Sequence, residues 1–212
     1  MFSIFGFRIS LDASWIFLAA LIVWSLATGY FPDVLPGMSP TVYYAAAIVA
    51  ALGMFASIIY HELAHALVAR YYQIRIAGIT LFIFGGVAEL ADEPPTAKSE
   101  FLVAIAGPIS SFLLAGLLYI VAVYLPDSTP VEIFAVLSYL TLINIVLAVF
   151  NLMPAFPLDG GRMLRAALWW YRDSLPWATR IASYLGAALG IALMAFGAYN
   201  MSQDAGVGGM WQ

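Results

Sequence analysis

Two of the 212 residues are histidines, and both stand in one short run, His61-Glu62-Leu63-Ala64-His65. On a helix, His61 and His65 are one turn apart and present their rings on the same side. Two ring nitrogens at that spacing can reach one Zn²⁺. Glu62 beside them can contact a water at the metal without being a ligand itself. The chain has no cysteine, which excludes both thiolate sites and disulfides. A catalytic zinc takes three protein ligands and keeps one position open. With no third histidine, the remaining ligand must be a carboxylate or an amide.

Asp159 is the candidate. It stands in residues 151–162, NLMPAFPLDGGR, an apolar stretch broken by two prolines and followed by Gly160 and Gly161. Prolines stop a regular helix, and Gly-Gly permits a tight turn. Non-helical backbone near membrane depth is tolerated only when buried in protein or lining a wet cavity. An acid in such a place reads as a ligand; the alternative is an Asp capping a helix that starts near Gly161. For the His-Glu run the plain alternative is a set of satisfied core polar groups. Against it stands the cost of an ionisable Glu62 inside an apolar span, where such a group is a functional candidate by default.

The elements that carry these residues follow from composition. Hydrophobic residues make up 64% of the chain and charged residues 9%, against about 45–50% and about 25% in a soluble domain. The mean hydropathy is +0.94. These values exclude an ordinary soluble domain, a disordered chain and a nucleic-acid binder. They predict an all-α polytopic membrane protein of about five to six transmembrane helices. Apolar segments cover residues 13–31, 42–70, 101–125, 133–151 and 181–201, and residues 206–212 read as the start of a sixth. The whole of 1–212 is read as one transmembrane domain. Residues 79–84, ITLFIF, are β-rich and too short to cross as a helix. They predict a short membrane-associated β-strand or hairpin after the second span. His61 lies nine positions before Arg70, which marks the end of the second span. At 1.5 Å per residue, that is roughly 14 Å inside.

The eight basic residues predict orientation. Arg8 precedes the first span; Arg70, Arg75 and Lys98 separate the second and third; Arg162, Arg165, Arg172 and Arg180 separate the fourth and fifth. The other connections carry Asp33, Asp127, Glu132 and Asp204 instead. By the positive-inside rule, the N-terminus and both basic loops of this multi-pass protein are cytoplasmic. The first apolar run is longer than the ~7–15 residues of a cleaved signal, so it is read as a retained span.

HELAH in an early span and NLMPAFPLDGGR after a later one are accompanied by FGGVA at 84–88 and AGPISSF at 106–112. In this combination and order the chain resembles the site-2 protease family of intramembrane zinc metalloproteases, in the small form without a PDZ insertion. The resemblance implies one Zn²⁺ per chain, held by His61, His65 and Asp159, with Glu62 as general base and acid. It implies that Asn151 helps bind substrate backbone or the developing oxyanion. It also implies that Gly85 and Gly86 belong to a strand whose edge receives an unwound substrate. The partners it implies are the lipid bilayer and a transmembrane segment of another protein, cut in regulated intramembrane proteolysis; a homo-oligomer is left open. Two departures stand out. Asp12 occupies a position where the family often has His, and reads as a helix cap. Related proteins continue through a sixth span, often into a nucleotide-sensing CBS pair; the stop at residue 212 reads either as a truncation or as a short natural form.

A zinc-binding membrane transporter or metal sensor without protease activity is the competing reading. It needs a polar path across the bilayer, and the third and fifth spans offer little beyond Ser110, Ser111, Ser183 and Asn200.

Overall fold

The structure, a computed structural model of the chain, describes residues 2–4, 7–11, 14–82, 85–90 and 93–203. The expected roles of Asp12, of Phe84 and of residues 206–212 as a sixth span lie outside the described residues.

The chain is mostly helical. Strands β1 (Phe2–Ile4) and β2 (Phe7–Leu11) precede α1 (Ser14–Ser25), which runs through a π-helical segment, Leu26–Tyr30, into α2 (Phe31–Val34). Then come α3 (Pro40–Tyr71), β3 (Ile76–Phe82), β4 (Gly85–Leu90), α4 (Ala97–Tyr124), α5 (Val131–Asn151), α6 (Asp159–Arg172) and α7 (Leu175–Gln203). Among the described residues, five helical stretches are long and apolar enough to cross a membrane: Ser14–Val34, Pro40–Tyr71, Ala97–Tyr124, Val131–Asn151 and Leu175–Asn200.

The helices outrun the apolar segments for a simple reason. Hydropathy ends at the first charge, whereas backbone hydrogen bonding ends at a cap. At α4, Ser99 N donates to Thr96 Oγ1 and Thr96 N donates to Ser99 Oγ, each at 3.1 Å. This capping box starts the helix at Ala97 rather than at residue 101 and draws Glu100 into its first turn. α7 begins at Leu175 rather than at residue 181, with Pro176 in its first turn, so Arg180 is helical. α6 fills what reads as a Pro- and Gly-rich connection.

The strands form one sheet in the order β1-β2-β3-β4, with β2 and β3 parallel and the other two pairs antiparallel. Ile9 pairs with Ile79, and Gly85 with Phe82. β1 and β2 carry no sequence expectation, because 3 and 5 residues are too few to show a period.

Small residues let the helices approach. Ala47 and Ala50 on α3 are fully buried and pack with Phe31, Val136 and Leu140, joining α2, α3 and α5. A β-carbon at Gly53 would lie 2.7 Å from a Leu140 methyl, so the Leu140 side chain would have to shift to admit one. α4 touches α3, α5 and α6, and α6 touches α7. Phe17, Leu113, Leu117 and Leu193 face outward. Such a surface suits hydrocarbon as the surrounding solvent, where close packing rather than apolar burial holds helices together.

Candidate metal centre

The site is built where α3, α4 and α6 meet. His61 and His65 share one face of α3 and are buried, at 2% and 4% exposure, and Asp159 reaches them from α6 at 7%. Asp159 Oδ2 lies 3.1 Å from Nε2 of each histidine, and the two Nε2 atoms are 3.2 Å apart. Asp159 is the first residue of α6; the cap position is Leu158, with no side-chain cap. The helix therefore starts two residues before Gly161, and its Asp carboxylate turns to the histidines instead of capping.

The other ring nitrogens decide what this triangle can hold. His65 Nδ1 lies 2.6 Å from the Val103 carbonyl oxygen. A carbonyl only accepts, so Nδ1 carries the proton and Nε2 presents a lone pair. His61 Nδ1 contacts Ser111 Oγ at 2.9 Å. With His61 in the same tautomer, whose Nδ1–H the Ser111 hydroxyl can accept, two imidazole lone pairs and a carboxylate oxygen converge in a buried space, an arrangement that repels itself unless a cation lies among them. Adjacent ligands of a tetrahedral zinc with bonds of ~2.0–2.1 Å are about 3.3 Å apart, close to the separations here. The donor set fits Zn²⁺: two nitrogens, one oxygen and outer partners on the rings. A proton on a ring nitrogen is one such cation: burial opposes the charged form of Asp159, but contacts with protonated His61 and His65 rings outweigh it and hold the carboxyl below the usual carboxylate range.

Gly107 makes the approach of α4 possible. A β-carbon there would overlap Nε2 of both histidines. Gly160 and Gly161 do the same for α6: side chains would collide with backbone of Leu152, Met153, Ala155 and Phe156. The Asp159 helix can thus seat on the preceding loop. The next layer is α7, where a β-carbon at Gly186 would lie 2.9 Å from Phe156 N, while Gly190 and Gly197 face open space.

Glu62 is half-buried on α3, directly after His61. The convergent group comprises His61, His65 and Asp159, without Glu62. Asn151 is not drawn into it: its Nδ2 donates to Leu147 O, 2.9 Å away on its own helix. Gly85 and Gly86 sit in β4 opposite Phe82 and Leu81.

Several residues escape sequence reasoning. Ser111, Val103 and Gly107 surround the histidines from α4 without any signal beyond the small-residue run AGPISS. Asn144, fully buried on α5, donates through Nδ2 to Ser57 Oγ at 2.9 Å, one turn before His61. Glu100 is fully buried and paired with Arg165. Its signal is an acid directly beside an apolar span, facing a helix with arginines at spacing three.

Comparisons with known proteins supply the family. The sequence signature of peptidase family M50 matches residues 49–135 and 127–194. Rip3 of Mycobacterium tuberculosis, named as a zinc metalloprotease, is 36% identical over 207 residues, covering 97% of this chain and 52% of its own. A zinc metalloprotease of Methanocaldococcus jannaschii is 34% identical over 206 residues, covering 95% of this chain and 54% of its own. The solved structure of a site-2 protease from Methanocaldococcus jannaschii superposes with a TM-score of 0.66 at 32% identity, covering 95% of this chain and 85% of that one. The chain spans about half the length of the curated relatives it matches.

Proposed function

The chain belongs to peptidase family M50, and from that premise we propose that it is an intramembrane zinc metalloendopeptidase. It is an integral multi-pass membrane protein, and its cofactor is Zn²⁺. It hydrolyses a peptide bond within or near a transmembrane segment of another membrane protein. One observation carries the reading. His61 Nε2 and His65 Nε2, on a helix long enough to cross a bilayer, converge with Asp159 Oδ2 of α6 at 3.1–3.2 Å. The 212 residues are one membrane protease domain, oriented with the N-terminus and the two basic connections in the cytoplasm.

In this reading His61, His65 and Asp159 hold the metal, which supplies Lewis acidity for polarising a peptide carbonyl and activating water. Ser111 and the Val103 carbonyl keep the rings turned inward. The Glu62 carboxylate takes the proton of the attacking water and returns it to the leaving amine. For Asn151 to bind substrate backbone or the developing oxyanion, its Nδ2 must turn away from Leu147 O. A helical substrate has its carbonyls engaged in i→i−4 bonds and must unwind before attack. β4 is last in the sheet order and starts at Gly85 and Gly86. As a membrane-associated edge it receives the unwound segment by strand addition.

The test is cleavage of a model transmembrane substrate by the purified chain, with and without phenanthroline. Chelator-sensitive cleavage that is absent in Glu62→Gln is the expected result. A chain that binds zinc but cleaves no substrate overturns it and favours the transporter or sensor.

A further inference from the structure

Glu100 has no role in the sequence pattern of the site, yet its charge is taken fully out of water. It is fully buried in the first turn of α4, and its Oε2 has no hydrogen-bond partner among the described residues. Its other oxygen, Oε1, accepts from Arg165 Nε at 2.6 Å and also contacts Arg165 Nη2. Replacing a buried ion pair by apolar side chains is often neutral or stabilising. The placement of this pair therefore calls for another reason.

Arg165 and Arg162 lie two turns and one turn along α6 from Asp159. Arg162 Nη1 is 3.8 Å from Asp159 Oδ1, beyond direct hydrogen-bond reach, and its Nη2 is buried without a partner among the described residues. One guanidinium thus flanks a carboxylate whose Oδ2 faces the histidines, and the next arginine along the same helix is held from α4 by Glu100. Arg165 is further held over the Phe156 ring, 5.1 Å from its centroid, which fastens α6 to the loop before it.

From this arrangement we propose that Glu100 is a positioning residue for the third metal ligand: by engaging Arg165 it fixes α6 against α4, and so keeps Asp159 Oδ2, at the start of α6, turned to His61 and His65. The inference rests on the metal-centre reading above. Loss of its charge leaves Arg165 without its buried partner, α6 shifts against α4, and ligation by Asp159 weakens.

The experiment uses the whole chain in detergent and measures zinc affinity by competition with a chromogenic chelator, and the visible spectrum after cobalt substitution. Glu100→Gln is expected to bind zinc about tenfold more weakly, the scale of lost outer-shell partners, with a shifted cobalt spectrum. Arg165→Lys, which keeps the pair, is expected to stay near wild type. Leu140→Ala, in the core between α3 and α5, is expected to lower the melting midpoint and leave both metal readouts alone. If Glu100→Gln does not fold, Glu100→Asp serves, with a severalfold weaker affinity and a shifted spectrum expected. Wild-type affinity and spectrum in the Glu100 variant overturn the proposal, and so does equal weakening in Leu140→Ala. A wild-type chain that binds no zinc overturns the metal-centre reading itself, a separate outcome.

Discussion

His65 and Val103 are joined by a 2.6 Å contact between a ring nitrogen and a backbone carbonyl oxygen, across the seam between α3 and α4. The bond forces the proton onto Nδ1 and frees Nε2 for the metal, so α4 prepares a ligand that α3 carries. His61 has the matching contact with Ser111 Oγ. That contact can be removed by mutation, whereas a carbonyl cannot. Ser111→Ala is expected to weaken zinc binding about tenfold with the fold intact, measured by chelator competition. An unchanged affinity refutes the orienting role.

Glu62→Gln keeps the side chain's size and removes its ability to take a proton. Zinc content is expected to match wild type, while the cleavage rate of a transmembrane substrate falls by ~10²–10⁴. Retained turnover in the purified variant would remove Glu62 from the chemistry.

Asp159→Ala deletes one of three convergent donors and leaves two histidine lone pairs 3.2 Å apart. Bound zinc, measured by metal analysis of the purified chain, is expected to drop well below one per chain. Full occupancy would move the third ligand elsewhere.

Gly107→Ala adds one methyl where both Nε2 atoms already lie. The expected result is a folded protein that has lost zinc, because the rings are displaced and the helix ladder is not. Helix content by circular dichroism and metal analysis on the same sample check it; zinc at wild-type level contradicts the close approach.

Gly186 and Gly197 separate packing from propensity on one helix. A β-carbon at Gly186 meets Phe156 N at 2.9 Å, and one at Gly197 meets nothing within 4 Å. Gly186→Ala is expected to lower thermal stability. Gly197→Ala is expected to be neutral or to stabilise by up to about 1 kcal/mol, the intrinsic helix gain of Ala over Gly. Melting curves that place the two variants together would show that the Phe156 loop yields to α7.

The sequence alone determined what is local. The spacing of His61 and His65 follows from the helical turn, and the long apolar segments follow from the thickness of a bilayer. The prolines around Asp159 announce irregular backbone, and residue type narrows the third ligand to a carboxylate or amide. Those readings needed no knowledge of which helix lies beside which. Only the tertiary structure decided the rest. Ser111 meets His61 across 50 positions, and Glu100 meets Arg165 across 65. Asn151 bonds its own helix, although its neighbours in sequence form the loop that seats Asp159. Such contacts depend on which small residues let two helices close. Gly107 and Gly161 look like any other glycines until the atoms they make room for are in place. A helix period is written in a few consecutive side chains, whereas an interhelical contact is written in the volume that two distant segments leave for each other.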